Sequence, residues 1–446
     1  MTLRNIASFK LNQRVLAVLL LWLPILSGES WDNWRGPHYN GTSDSSGALP
    51  EVFDRSQGVK WKTKLPGVSA ATPIVSSGRV FIPSISVSKD SSKKGRGELL
   101  AMCFDANTGK LMWSRNAGSG YRPGQADGFD YMLHDRSNYA SPSPVVGLGL
   151  VYFFFGNGDL VAYDFAGKEQ WRRNLQQDFG DFCFQWTFSA SPTFFTNKLY
   201  IPILQRDEPV HGRGEKNAKS FLLCIDPKNG KTIWQHYRPS AAKKESLESF
   251  GTIIPHNGEL LVAGGAVLSS HDSTTGKELW RWGTWNPGHR QQWWRLVPSP
   301  VIGNGVALVC APKKAPIFAI KLDQQGSNSG PDGLRWETSE DSVLTSDVPT
   351  PLFYRGDFFV LSDLRKSLSR VNPETGKPIW SLTLPGKYKW RGSPTAGDGK
   401  IYFMNHNGMV LVVSSEDGKI LNQAEMGGTY DAVSYTHLTL PTIVRG

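Results

Sequence analysis

A short interval between glycine and tryptophan recurs down the chain and restricts what it can fold into. Gly109 and Trp113, Gly230 and Trp234, Gly276 and Trp280, and Gly376 and Trp380 each stand four residues apart, and a Lys or Lys-like position follows each glycine. The clearest copy reads Asp105-Ala106-Asn107-Thr108-Gly109-Lys110-Leu111-Met112-Trp113. Asp opens a turn by bonding its own backbone, Gly supplies the left-handed residue of a hairpin bulge, and the chain reverses into a new strand. Gly167 and Trp171 keep the interval in a shortened turn, Trp336 ends a copy whose turn is lengthened through Gln324 to Gly333, and Asn422 replaces the Trp of the last copy.

A repeat of this length implies one supersecondary unit stacked on its neighbours. Each unit contains continuously apolar third strands, such as Phe221-Leu222-Leu223-Cys224-Ile225 and Met409-Val410-Leu411-Val412-Val413, as expected of strands covered on both faces. First strands open on a proline at Pro73, Pro142, Pro192, Pro300, Pro351 and Pro394, where the missing donor costs little. With 46 Gly and 28 Pro, the composition suits many short strands and tight turns. The outer-strand ends Trp61, Trp113, Trp171, Trp234, Trp280, Trp336, Trp380 and Asn422 give an all-β ring of eight four-stranded blades. Trp61 arrives after a single strand, Val59 to Leu65, so it is expected to be the outer strand of a closing blade whose inner strands come from the C-terminus. Such a latch removes exposed sheet edges.

The two ends carry separate expectations. Arg4, Lys10 and Arg14, an apolar run from Val15 to Leu26 and small or polar residues through Ser30 form a signal-peptide pattern over residues 1–30, too short for a span of about 20 residues. No transmembrane segment is expected after its cleavage, and the repeat region occupies residues 31–430. Residues 431–446 fit no repeat and read as an aberrant tail on a truncated frame, leaving the closing blade incomplete. Cys103, Cys183, Cys224 and Cys310 are scattered and read as buried small hydrophobes rather than disulfides or a redox pair. The formal charge of +10 comes from scattered Lys and Arg, which describe solvated faces and not a nucleic-acid surface.

The Ala-x-Asp-x-x-Thr-Gly-Lys-x-x-Trp block resembles the tryptophan-docking repeat of the PQQ-like β-propeller superfamily, which includes quinoprotein alcohol dehydrogenases and the assembly lipoprotein BamB. The opening Trp31-Asp32-Asn33-Trp34-Arg35-Gly36-Pro37 resembles the start of exported planctomycete-type PQQ-like repeat proteins. The resemblance spans residues 31 to about 430 and implies a fold more than an activity. It implies a structural docking role for Trp61, Trp113, Trp171, Trp234, Trp280, Trp336 and Trp380. A quinoprotein of this type would hold PQQ with Ca²⁺ through Glu, Asn and Asp, for which Glu248, Asn138 and Asp347 are the candidates, and would carry a vicinal disulfide. This chain has no adjacent cysteines.

In an up-and-down blade all the Thr-Gly-Lys turns share one face, and the long loops share the other, where binding usually lives. Candidate binding residues on that rim are Arg136, Asn138, Trp186, Glu248, Trp294, Arg295, Asp347, Trp390 and Arg391. The segment Trp282 to Arg295 packs four Trp and two Arg into fourteen residues, a candidate stacking platform. Metal-protease, Walker and nucleophile-elbow motifs do not occur, so no catalytic residue, metal site or cofactor is assigned. The expected protein is a periplasmic or secreted, monomeric, non-catalytic propeller that presents its loop rim to a protein, peptide or glycan. The alternatives are a degenerate PQQ-dependent oxidoreductase and a BamB-like assembly scaffold.

Overall fold

A computed structural model describes residues 30–44, 47–86, 97–119, 138–210 and 212–427. Residues 1–29, nearly all of the expected signal peptide, Arg136 and residues 431–446 lie outside them. Among the described residues the chain forms seven antiparallel meanders, each ordered in sequence from inner to outer strand. We number them as blades 1 to 7. Blade 1 runs Ile74–Ser76, Arg79–Ser86, Glu98–Asp105 and Leu111–Ser119, and blade 2 runs Val145–Gly147, Leu150–Phe154, Asp159–Asp164 and Glu169–Asn174. Blade 3 comprises Thr193–Phe195, Lys198–Ile203, Phe221–Ile225 and Thr232–Tyr237, and blade 4 Ile254–His256, Glu259–Gly264, Val267–Asp272 and Glu278–Gly283. Blades 5, 6 and 7 begin at Val301–Gly303, Leu352–Tyr354 and Thr395–Gly397 and end at Leu334–Glu337, Pro378–Thr383 and Ile420–Glu425. Neighbouring first strands meet around a central axis.

The repeated Trp is what joins one blade to the next. Its indole lies against the turn glycine of the following blade, where a Cβ would clash: Trp61 on Gly109, Trp113 on Gly167, Trp171 on Gly230, Trp234 on Gly276, Trp336 on Gly376 and Trp380 on Gly418. Each of these glycines also has positive φ, between 67° and 80°, so glycine is needed twice over. In five junctions the indole N–H donates to a carbonyl of the same turn: Trp61 to Ala106 (2.9 Å), Trp113 to Phe165 (3.0 Å), Trp171 to Pro227 (2.8 Å), Trp336 to Pro373 (2.7 Å) and Trp380 to Glu416 (3.0 Å).

Blade 4 departs from the expected pattern. Trp280 is buried inside its own blade, its N–H facing Glu259 at 3.3 Å, and Trp282 reaches the next turn instead, donating to Gly330 (3.1 Å) and resting on Gly333. The lengthened turn of blade 5 explains the shift. Its Gly326–Asn328 segment adds a fifth strand to blade 4, parallel to Trp280–Trp282, and moves the docking glycine further along.

The expected strand over Val59 to Leu65 also differs. These residues pair with no other strand, and the first ladder is the short Gly67–Val68 against Ser86 and Ile85. Without three inner strands beside it, the segment has no backbone partners to form a sheet, yet Trp61 still docks and Thr63 donates to Gly109 (2.6 Å).

The N-terminal segment links the ends of the ring. Residues 31–43 run along the axis, bonding blade 1 through Trp31 and Val75, blade 2 through Val146 to Asp32, blade 3 through Tyr39 to Phe194, blade 6 through Arg35 to Pro351 and blade 7 through Ser43 to Ala396. Residues 49–55 then cover blade 7: Leu49 and Phe53 pack with Tyr402, Val410 and Val412, Tyr402 donates to Pro50 (2.8 Å), and Asn422 donates to Phe53 (3.2 Å). Asn422 stands where other copies place Trp, and it bonds this covering segment instead of docking on a turn.

Candidate functional site

The residue two before each inner strand builds the centre of the ring. A backbone N–H there donates to the hydroxyl of the next blade's equivalent residue: Thr72 to Ser143 (2.9 Å), Ser143 to Ser191 (3.0 Å), Ser191 to Thr252 (3.1 Å), Thr252 to Ser299 (2.9 Å), Ser299 to Thr350 (3.1 Å) and Thr350 to Ser393 (2.9 Å). Seven buried hydroxyls thus form a directional crown. In blade 2 the crown uses Ser143-Pro144 rather than the Ser141-Pro142 expected from the sequence, because the strand starts at Val145. The first hydroxyl, that of Thr72, has no partner among the described residues.

Above the crown lies a cavity of about 280 Å³ whose floor includes Trp34 and five of the seven crown residues. Its wall brings together Trp186, Arg295, Asp347 and Arg391, four of the sequence candidates, with Lys313 added. Arg295 spans Glu245 (3.5 Å) and Asp347 (3.8 Å), and Lys313 reaches Asp347 at 3.6 Å. Arg391 donates to Asp363 (3.1 Å), whose other oxygen accepts from the Asp347 backbone N–H (3.1 Å). Burial raises the Asp363 carboxyl above its usual range despite Arg391. Each charge in the wall is therefore shared, as buried charge requires.

Other candidates fall elsewhere. Trp390 is fully buried against Phe403 and serves the core of blade 7. Trp294 packs into the core shared by blades 4 and 5. Trp282 and Trp285 are likewise buried, leaving Trp293 as the exposed ring of that segment, under the Lys244 ammonium. The expected stacking platform is therefore mostly core, because the apolar rings close the space between two blades. Asn138 caps its own turn, accepting from Ala140 (2.9 Å), and does not line the cavity. Glu248 is buried behind the wall, paired with Arg206 and accepting from Gln185 N–H (3.1 Å), with its second oxygen unpartnered among the described residues. Burial pushes its carboxyl up to about 7.

This geometry does not suit Ca²⁺. The ion takes six to eight oxygen ligands, whereas Glu248 is held by Arg206, Asp347 by Arg295 and Lys313, and Asn138 is turned to its own backbone. Cys103, Cys183, Cys224 and Cys310 are all free and buried, so the disulfide of a quinone site has no counterpart here. Sequence reasoning missed Trp34, Lys313, Arg206, Glu245 and Asp363. Trp34 and the crown could have been found: the first sits in the opening motif, the second in the Ser/Thr before each inner strand.

Known proteins share this architecture. The family model described as outer membrane protein assembly factor BamB matches residues 51–201 and 218–440. The quinohemoprotein alcohol dehydrogenase ADH IIB of Pseudomonas putida is 22% identical over 67% of this chain and 43% of its own length. The tetrathionate hydrolase of Acidithiobacillus ferrooxidans is 23% identical over 40% of this chain and 31% of its own. This chain therefore spans less than half the length of these curated relatives. Among solved structures, quinohemoprotein alcohol dehydrogenase from Comamonas testosteroni superposes with a TM-score of 0.58 at 14% identity, covering 89% of this chain and 73% of that one. With docking tryptophans at every described junction and a family match over most of its length, the chain belongs to the PQQ-like β-propeller family of BamB.

Proposed function

We propose that the protein is an exported, non-catalytic propeller that binds a polar ligand, a glycan or a peptide segment of a partner, in the cavity above the hydroxyl crown. The observation that carries this reading is the cavity wall: arginine, lysine and carboxylate side chains already paired with each other, two indoles, and hydroxyls that each accept one backbone N–H. Such a wall offers many hydrogen bonds and few reactive groups. An envelope location is supported by the leader-like sequence of residues 1–30 and by the outer-membrane description of the family. Among the described residues no helix is long and apolar enough to cross a membrane.

Calorimetric titration with short oligosaccharides and peptides tests the reading. Saturable binding that weakens at least tenfold in Trp186→Ala and Arg391→Gln supports it. Alcohol-dependent dye reduction by the protein supplied with PQQ and Ca²⁺ overturns it in favour of a quinoprotein oxidoreductase.

A further inference from the structure

The junction between blades 3 and 4 breaks the repeat in chemistry as well as in sequence. In earlier junctions the residue two after the docking Trp bonds the carbonyl of the turn glycine ahead: Thr63 to Gly109, Arg115 to Gly167 and Arg173 to Gly230. At this junction that residue is His236, and the Gly276 carbonyl is taken by His271 Nδ1 at 3.2 Å. His271 also stands near the end of a third strand where other copies place an apolar residue: Phe104, Tyr163, Ile225, Ile320, Val371 and Val413. Two histidines have thus entered two different repeat positions that face one another across one junction.

A carboxylate completes the group. Glu278 lies directly opposite His271 in the ladder of blade 4, at the bulge between Ser270 and His271. Docking of Trp234 on Gly276 brings His236 over the same place, and the two imidazoles meet edge to face with centroids 5.2 Å apart. One ligand atom from each of His236, His271 and Glu278 lies within 4.8 Å of the other two. His271 and Glu278 belong to blade 4, and His236 belongs to blade 3.

The imidazole of His271 is preset. A carbonyl can only accept, so Nδ1 carries the proton and Nε2 the lone pair, which now accepts from the Ser269 hydroxyl (2.9 Å). An N–H to backbone carbonyl is the bond that commonly orients a metal-bound histidine. When Nε2 is taken, the Ser269 hydroxyl can turn to the Val262 carbonyl at 3.4 Å.

From this arrangement we propose that His236, His271 and Glu278 form a binding site for Zn²⁺ or a similar borderline-soft divalent ion, which clamps blade 3 to blade 4. Two nitrogens and one oxygen suit such an ion in tetrahedral coordination and leave a fourth position for water. Hard ions that prefer all-oxygen shells do not suit it. Two cations oppose binding. Arg238 is fixed by Ser269 and three backbone carbonyls, and Arg281 holds both Glu278 oxygens at 2.5 and 2.6 Å. Affinity should therefore depend on how far Arg281 releases the carboxylate.

The test is Zn²⁺ titration of the full chain against a chromogenic chelator, with thermal melts alongside. One equivalent should bind, raise the melting temperature, and weaken at least tenfold in His236→Gln, a partly exposed position that should still fold. Glu278→Gln should weaken binding, and Arg281→Gln should tighten it severalfold by freeing Glu278. Absence of stoichiometric binding overturns the proposal. So does binding that survives unchanged in His236→Gln and Glu278→Gln, since the ion then sits elsewhere.

Discussion

The docking indoles show how much one side chain contributes when its surroundings repeat. Trp171 is 9% exposed, rests on Gly230 and donates to Pro227, so it closes one junction with packing and a hydrogen bond together. Trp171→Ala should cost about 3 to 5 kcal/mol, measured by urea unfolding. Gly230→Ala should also destabilise, because its Cβ would meet the Trp171 ring at 2.6 Å and its φ is 74°. Glu248 is a residue-scale case of a different kind. Its folded carboxyl near 7 lies above the ordinary value of 4.5. The folded state therefore keeps a proton that the unfolded chain gives up, and this contribution is complete below pH 4.5 and lost as pH rises through about 7. Relative to Glu248→Gln, the parent protein should lose up to about 3 kcal/mol over that window. Parallel melts at pH 4.5 and 7.5 read the difference, and a constant offset would contradict it.

At the scale of elements, the sequence was most legible where one backbone need fixed one residue type. The turn glycines and the Trp spacing located the outer strands because positive φ and close indole contact leave few alternatives. Trp282 was not legible as a docking residue, since its role follows from a strand that the Gln324 to Gly333 turn contributes to another blade. The ion pairs around the cavity were hidden for a similar reason: Arg206, Glu245 and Asp363 lie far in sequence from their partners Glu248, Arg295 and Arg391. The axial segment was half legible. Its motif is distinctive, but nothing in the sequence says that Arg35 ends with its guanidinium donating to Pro351, Pro394 and Asn40 carbonyls at 2.9, 2.9 and 3.0 Å. Burial without an acidic partner pulls this arginine down to about 9. Arg35→Met leaves those carbonyls without donors and should cost about 3 kcal/mol or more, with blades 6 and 7 losing amide protection first in hydrogen exchange.

For the whole molecule, the space between blades 7 and 1 is informative. A cavity of about 370 Å³ lies there, lined by the apolar Phe53, Trp61, Val80, Phe104 and Met426 and by the polar Arg55, Lys60, Lys62 and Thr63. Trp61 docks forward onto blade 1, and Asn422 bonds back to the covering segment. The described residues themselves build seven blades. Thr72 offers a test. Its hydroxyl is buried without a donor among the described residues, so Thr72→Val should be neutral or slightly stabilising in this chain. In a version extended by three strands that supply a donor, the same change should cost about 1 kcal/mol, as read by paired denaturation curves.

The hydroxyl crown has a consequence for how such a ring comes apart. Every amide in it points the same way round, so the inner strands are wired in series like a one-way circuit. The series is open at the Thr72 hydroxyl, where residues 31–43 bridge blades 7 and 1 instead. Unfolding should start there, with the blades peeling away in order from that joint instead of detaching at random.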